Sequence, residues 1–396
     1  TVVAGHTRRK KKEYTLDKLP EGIPVEIVEH RIPESKLACP QCGETMTPIG
    51  KEVTRKLKII PARTVIVEDH YYSYACRNCE KENIQTPVLK TPKEKGVISG
   101  SFATPEAIAH LMVQKYVMGS PLYRQEQELN RQGITLTRQT MSNWMLTASK
   151  LYLIPVWERL HIELLGREVL HADETTLQVL HEEGKTATSK SYMWIYLSGT
   201  DGKPPIILYD YRPGRSGDYP IEFLHGFTGM LQCDGYSAYG RIEDVVLVCC
   251  LAHCRRKFFE AVPKARQKKL KLLDINSEQE LAEPPQGTAE DSSLLPAEKG
   301  VAFCNRLFYM ERLYKELPQE ERKQKRQETE PAIWNEFWTW LETLEPAGGS
   351  KLEKAVNYAF NHKETLMNYL LDGRCEISNN AAERRAKTYV TGRKNF

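Results

Sequence analysis

Two aspartates each end an apolar, strand-like run: Asp173 in His171-Ala172-Asp173-Glu174-Thr175 and Asp234 in Cys233-Asp234-Gly235-Tyr236. A third acidic candidate, Glu383, lies far downstream in Asn379-Asn380-Ala381-Ala382-Glu383-Arg384. An aspartate within β-branched, apolar sequence is poorly placed for strand propensity. A ligand at a strand end explains it better than a packing residue; the plain alternative is a turn or cap. Carboxylate oxygens suit a hard cation that keeps part of its water. Two such ions on a phosphodiester activate the attacking oxygen and stabilise the leaving one. Glu383 follows two good capping residues and is expected early in a helix. Glu376 competes for the third place, but a helix holds its side chain more rigidly than a loop. Glu174 should point to the opposite sheet face from Asp173 and support the site rather than form it.

Thiols suggest a second metal. Cys39-Pro40-Gln41-Cys42 and Cys76-Arg77-Asn78-Cys79 can each chelate from one tight turn. Two such pairs complete a tetrahedral four-thiolate zinc site, which is structural because no coordination position stays open. Arg63 to Glu68 between them reads as a strand, giving a zinc ribbon. Cys250-Leu251-Ala252-His253 offers only two ligands and is expected to be structural.

The elements around these residues suggest an α/β fold. Its ribonuclease H-like catalytic core carries a helical insertion and follows a zinc ribbon and a helical DNA-binding region. Strands are expected over Glu168–Leu180, Tyr192–Ser198, Pro205–Tyr211, Met230–Cys233 and Val245–Cys250, with helices at Tyr219–Leu224 and His253–Ala261. That order puts the first strand beside the fourth, so their aspartates face one another at the sheet edge. The expected domains are a basic arm at 1–35, a zinc-binding domain at 36–95 and a helical, helix-turn-helix-like region at 100–165. The catalytic core at 166–262 and 351–396 is interrupted by the helical insertion at 263–350. In the helical region, Thr104-Pro105-Glu106 starts one helix, Leu122 a second, and a third is capped near Thr137 after Gly133. A helix-turn-helix there would present Arg138, Gln139, Thr140 and Asn143 to DNA; a helical packing domain fits the spacing equally well. Arg255, Arg256 and Lys257 beside the site, and Arg384, Arg385 and Lys387 beyond Glu383, suit phosphate contacts or a solvated face. Trp194, Trp334, Trp338 and Trp340 are expected in the core.

Bulk properties narrow the class. With 396 residues there is room for two or three domains. A net charge of +4 is mild, so a nucleic-acid surface must come from local clusters such as Arg8 to Lys12. No apolar run reaches the ~18 residues that span a bilayer, which points to the cytoplasm. Ten cysteines are too few for a disulfide scaffold in a chain this long. The start at Thr1 and stop at Phe396, straight after a basic stretch, suggest a fragment.

At these residues the chain resembles the insertion-sequence-66 family of bacterial DDE transposases. The resemblance rests on Cys39-Pro40-Gln41-Cys42-Gly43 with Tyr74 to Cys79, on Pro121 to Glu126 and Ser142-Asn143-Trp144, on both aspartate motifs, and on Ala252 to Phe258. Asn379 to Arg384, with Gly392-Arg393-Lys394-Asn395 behind it, completes the order. Leu251 departs from the tryptophan common in that family, and Cys254 from a small residue. The resemblance implies a triad of Asp173, Asp234 and Glu383 holding two Mg²⁺ (or Mn²⁺) ions, and one structural Zn²⁺. It implies binding of terminal inverted repeats and target DNA, cleavage and strand transfer, action as a homodimer or higher with accessory proteins, and a bacterial cytoplasmic, nucleoid-associated location. An inert zinc-ribbon repressor of the same element and a ribonuclease H-like nuclease are the alternatives.

Overall fold

The computed structural model describes residues 27, 41, 64–75, 81–82, 88–271 and 294–393. Cys39, Cys42, Cys76 and Cys79, with the basic run from Arg8 to Lys12, lie outside the described residues. The chain divides into two units, Thr1–Lys93 and Glu94–Phe396. In the first, β1 (Ser73–Ala75) pairs antiparallel with β2 (Val88–Lys90), and Tyr74 faces Leu89. Residues 64–70 are irregular, which corrects the strand expected to begin at Arg63. A β-branched run needs a paired neighbour and a surface to pack on, and Ile66 is 91% exposed. The second cysteine pair falls, in sequence, between the two strands of this hairpin.

The second unit begins with α1 (Pro105–Tyr116), α2 (Leu122–Arg131) and α3 (Arg138–Ala148). Thr104 caps α1 by accepting from the Ala107 amide, and Thr137 caps α3 by accepting from Thr140. Gly133 breaks α2 from α3 with a φ of 79°, a conformation open to glycine without strain. Ile108, Leu111, Met141, Trp144 and Met145 close a small core among the three helices. A π-helical turn, Ser149–Leu153, continues α3 into α4 (Ile154–Leu165).

The strands follow: β3 (Val169–Gln178), β4 (Lys190–Ser198), β5 (Ile207–Arg212), β6 (Gly229–Cys233) and β7 (Val245–Cys249). Their order is β5-β4-β3-β6-β7. The β5-β4-β3 hairpins are antiparallel, whereas β6 and β7 run parallel to β3. The first strand is thus central, next to the fourth. Alternation gives the sheet two different faces. Leu170, Ala172, Trp194, Tyr196, Leu231 and Cys233 pack toward Leu164, Phe223 of α5 (Asp218–Phe223) and Tyr239. Ile195 and Leu197 pack instead against Ala382 and Ala386 of α12 (Asn380–Arg393).

After β7 come α6 (Leu251–Ala261) and α7 (Lys264–Lys271), then α8 (Pro296–Leu313) and α9 (Gln319–Glu342). The last helices before α12 are α10 (Lys351–Asn361) and α11 (Lys363–Met367), which leads into a 3₁₀ turn, Asn368–Leu371. Within the helical insertion expected at 263–350, α8 and α9 are separated near Pro318, whose missing N–H suits a helix start better than an interior. These inserted helices share one core with the sheet: Phe303, Leu307, Trp334 and Phe337 pack with Val248, Leu251 and Phe258. A Cβ at Gly300 would fall 2.3 Å from the Phe258 ring, so the absent side chain is what lets α8 lie this close to α6. Trp194, Trp334 and Trp338 are buried and Trp340 packs at the edge of the same core. Among the described residues, no helix is long and apolar enough to cross a membrane.

Candidate active site

Asp173 stands where β3 passes from buried to half-buried positions. The parallel register pairs His171 with Gln232, so two residues on it brings Asp173 level with Asp234, just past the end of β6. Both aspartates share the sheet face covered by α12, because they keep step with His171 and Gln232. Glu383 lies in the first turn of α12. The three carboxylates thus stand on two adjacent strand ends and one helix start.

Their electrostatics agree with this placement. Burial pushes the Asp173 carboxyl up to about 7, and the negative charges of Glu174, Asp234 and Glu383 push in the same direction. The Glu174 amide, donating to Asp173 Oδ1 at 2.9 Å, works against that shift. The Tyr236 amide donates to Asp234 Oδ1 at 2.9 Å and holds that loop. Glu383 is approached by Arg256 at 3.5 Å and by His253 Nε2 at 3.7 Å. Its Oε1 is nevertheless buried without a hydrogen-bond partner, as is His253 Nδ1. Burial, then the Arg256 charge, lower the proton affinity of His253. Glu376 is placed otherwise: its amide donates to Gln232 Oε1 at 2.8 Å, tying it by its backbone to β6.

Glu174 occupies the other sheet face. Its Oε1 accepts from Arg215 Nε at 2.8 Å and its Oε2 from the Tyr239 hydroxyl at 3.0 Å. Arg215 also lies over the Tyr236 ring, 4.0 Å from its centre, and the charge of Asp234 acts on it. No local signal marks Arg215. It sits in the turn Pro213-Gly214-Arg215-Ser216-Gly217 with no periodic pattern around it, and only folding brings it to the aspartate loop.

The expected DNA contacts divide. Arg138 is exposed at the start of α3, with its guanidinium 5.8 Å from the Tyr123 ring centre. Asn143 is exposed one turn on, accepting from Gln139 at 3.0 Å. Arg256, Lys257, Arg384 and Lys387 are exposed on α6 and α12, the helices that carry His253 and Glu383. Arg255 is half-buried, and its Nε donates to Asn305 of α8 at 2.7 Å, on the side toward the inserted helices.

On charge and donor type the carboxylates fit a hard divalent ion. One is held near neutral pH by burial and by its neighbours, and another has an oxygen buried without a partner; a cation relieves both conditions. Among the described residues, no three His, Cys, Asp or Glu side chains stand close enough to form a metal shell. Glu383 in its present position is directed to Arg256 and His253.

A model of the zinc-finger binding domain of transposase IS66 matches residues 36–80. Three Sinorhizobium fredii proteins are similar along most of the chain. Uncharacterized protein y4hP is 28% identical over 384 residues, covering 93% of this chain and 65% of its own length. Uncharacterized protein y4qI is 29% identical over 391 residues, covering 93% and 64%. Uncharacterized protein y4jD is 29% identical over 380 residues, covering 92% and 67%. The chain thus spans about two thirds of the length of these curated relatives. The model of the Transposase IS66 family matches residues 100–396, the helical region, the sheet and α12 together, and the chain belongs to that family.

Proposed function

We propose that the protein cuts DNA at the ends of a transposable element and joins the freed ends to target DNA, using a ribonuclease H-like core. The observation that carries this reading is the parallel register of β3 and β6, which brings Asp173 level with Asp234 in a sheet packed against α12, the helix that holds Glu383. Carboxylate oxygens suit hard cations. Asp173, Asp234 and Glu383 would hold two Mg²⁺ or Mn²⁺ ions, which when bound lower the pKa of water and neutralise charge on the phosphate. The chain's own groups position DNA. Arg256, Lys257, Arg384 and Lys387 offer phosphate contacts beside the carboxylates. Arg138 and Asn143 on α3, with the zinc module at Cys39, Cys42, Cys76 and Cys79, supply end recognition, mostly through phosphates with few base contacts. Hydrolysis of one P–O bond frees a 3′ hydroxyl at the element's end. That hydroxyl attacks a target phosphodiester, forming one P–O bond as another breaks, with no covalent enzyme intermediate. The active complex is a homodimer or larger, working in the cytoplasm on the nucleoid with accessory proteins of the element.

Labelled duplexes ending in the element's terminal repeats, incubated with target DNA and Mg²⁺, test the proposal. It requires cut and joined products. Binding without cutting would identify an end-binding repressor, and cutting without joining a nuclease. The titration of Asp173 adds a pH signature. Its protonated form cannot serve as a ligand, so Mn²⁺ affinity should rise by roughly tenfold per pH unit from 5.5 to 7 and level off above. Affinity that stays flat across that range in calorimetric titrations would place the ion elsewhere.

A further inference from the structure

Asn379 immediately precedes α12 and is only 1% exposed. An asparagine at a helix start usually turns its side-chain oxygen to the free amides of the first turn. Here that oxygen meets another element. Asn379 Nδ2 donates to the carbonyl of Ala172, next to Asp173, at 2.8 Å. The amide oxygen must then lie on the opposite side, where His171 Nδ1 is 3.0 Å away. An oxygen can only accept, so His171 carries its proton on Nδ1. The Asn379 amide is directed to Cys250 Sγ at 3.1 Å, and its carbonyl accepts from the Glu383 amide at 3.2 Å. One buried residue thus ties together β3, the start of α6 and the first turn of α12. Those elements carry Asp173, His253 and Glu383.

We propose that Asn379 is a positioning residue that sets the separation of Glu383 from Asp173 by clamping α12 to β3 through His171 and Ala172. This rests on the reading of the three carboxylates as cation ligands. Asn379→Asp keeps the shape and the acceptor for His171 but loses the donor to Ala172. Asn379→Ala removes both. Mn²⁺ binding to the full chain, followed by electron paramagnetic resonance, should weaken about tenfold or more in each variant, as when a ligand loses its outer support. Cooperative unfolding and binding of end DNA should persist. In ¹⁵N spectra the Nδ1-protonated signature of His171 should survive in Asn379→Asp and be lost in Asn379→Ala. Wild-type Mn²⁺ affinity in both folded variants overturns the proposal. So does loss of cooperative folding in both, which would leave Asn379 a purely structural role. Asp173→Asn separates the two levels. If it leaves Mn²⁺ binding unchanged, the cation reading itself is wrong; if it removes binding that both Asn379 variants keep, only the clamp is wrong.

Discussion

Asp173→Asn is expected to abolish cleavage and joining while making the ion-free protein more stable. The two effects share one cause. Asparagine keeps the size of the side chain but removes a charged oxygen donor, and loss of a cation's ligand should lower the rate by about 10³-fold or more, roughly 4 kcal/mol in barrier. Without ions, the ionised carboxylate is a burden: it is buried, and the negative charges of Glu174, Asp234 and Glu383 act on it. The sign follows from its position at about 7 in the folded protein against an ordinary value of 3.8. A raised value means that the stabilising contribution is complete below the ordinary carboxyl range and lost as pH rises through 7. At pH 8 the wild type has lost it and the asparagine variant has not. Urea unfolding in chelator at pH 8 should therefore show the variant more stable by about 2–4 kcal/mol, with the gain shrinking toward pH 5. An equally stable variant would mean that Asp173 is not crowded in solution. Residual cutting near the wild-type rate would remove it from the chemistry. Stabilisation on loss of activity is what a strained active site gives.

Arg326→Ala should cost about 3–5 kcal/mol of stability, although position 326 lies in the inserted helices and not in the active site. Its guanidinium is fully buried. It donates to both oxygens of Glu311 at 2.6 Å, and to the carbonyls of Tyr369 at 3.1 Å, Asp372 at 2.8 Å and Cys375 at 2.8 Å. Alanine leaves one carboxylate and three carbonyls without these bonds. Nearby Glu330, pushed up to about 8 chiefly by burial and next by the Glu311 charge, loses a compensating cation. The carbonyls that Arg326 gathers belong to the segment leading to Glu376, Asn379 and Glu383, so DNA cutting should fall along with the melting temperature. Arg306→Ala is the control. That arginine pairs with Glu336 at 2.6 Å with both side chains partly exposed, and its loss should cost less than about 1 kcal/mol. Equal effects at the two positions in denaturant titrations would refute the role given to the buried network.

Much of this architecture is written in local pattern. Thr104 and Thr137 mark helix starts because capping is satisfied within three residues, and both cap α1 and α3. The strands announce themselves through short apolar runs, within a few residues of their observed ends. The irregular stretch at 64–70 shows the limit: Val65, Ile66 and Val67 have the composition of a strand, but pairing is a property of a partner that the run itself does not specify.

The sequence by itself determined which residue types could do chemistry, the order of elements and the alternation that places Asp173 and Glu174 on opposite sheet faces. These depend on side-chain chemistry and on periods of two or 3.6 residues, both local. Only the tertiary structure decided that the Glu383 charge acts on Asp173, that Arg255 turns to Asn305, that Arg215 reaches the aspartate loop, and that Asn379 joins three elements. Those outcomes depend on contacts between residues tens to hundreds of positions apart, whose geometry is fixed by packing of the whole core and leaves no mark in any short stretch of chain.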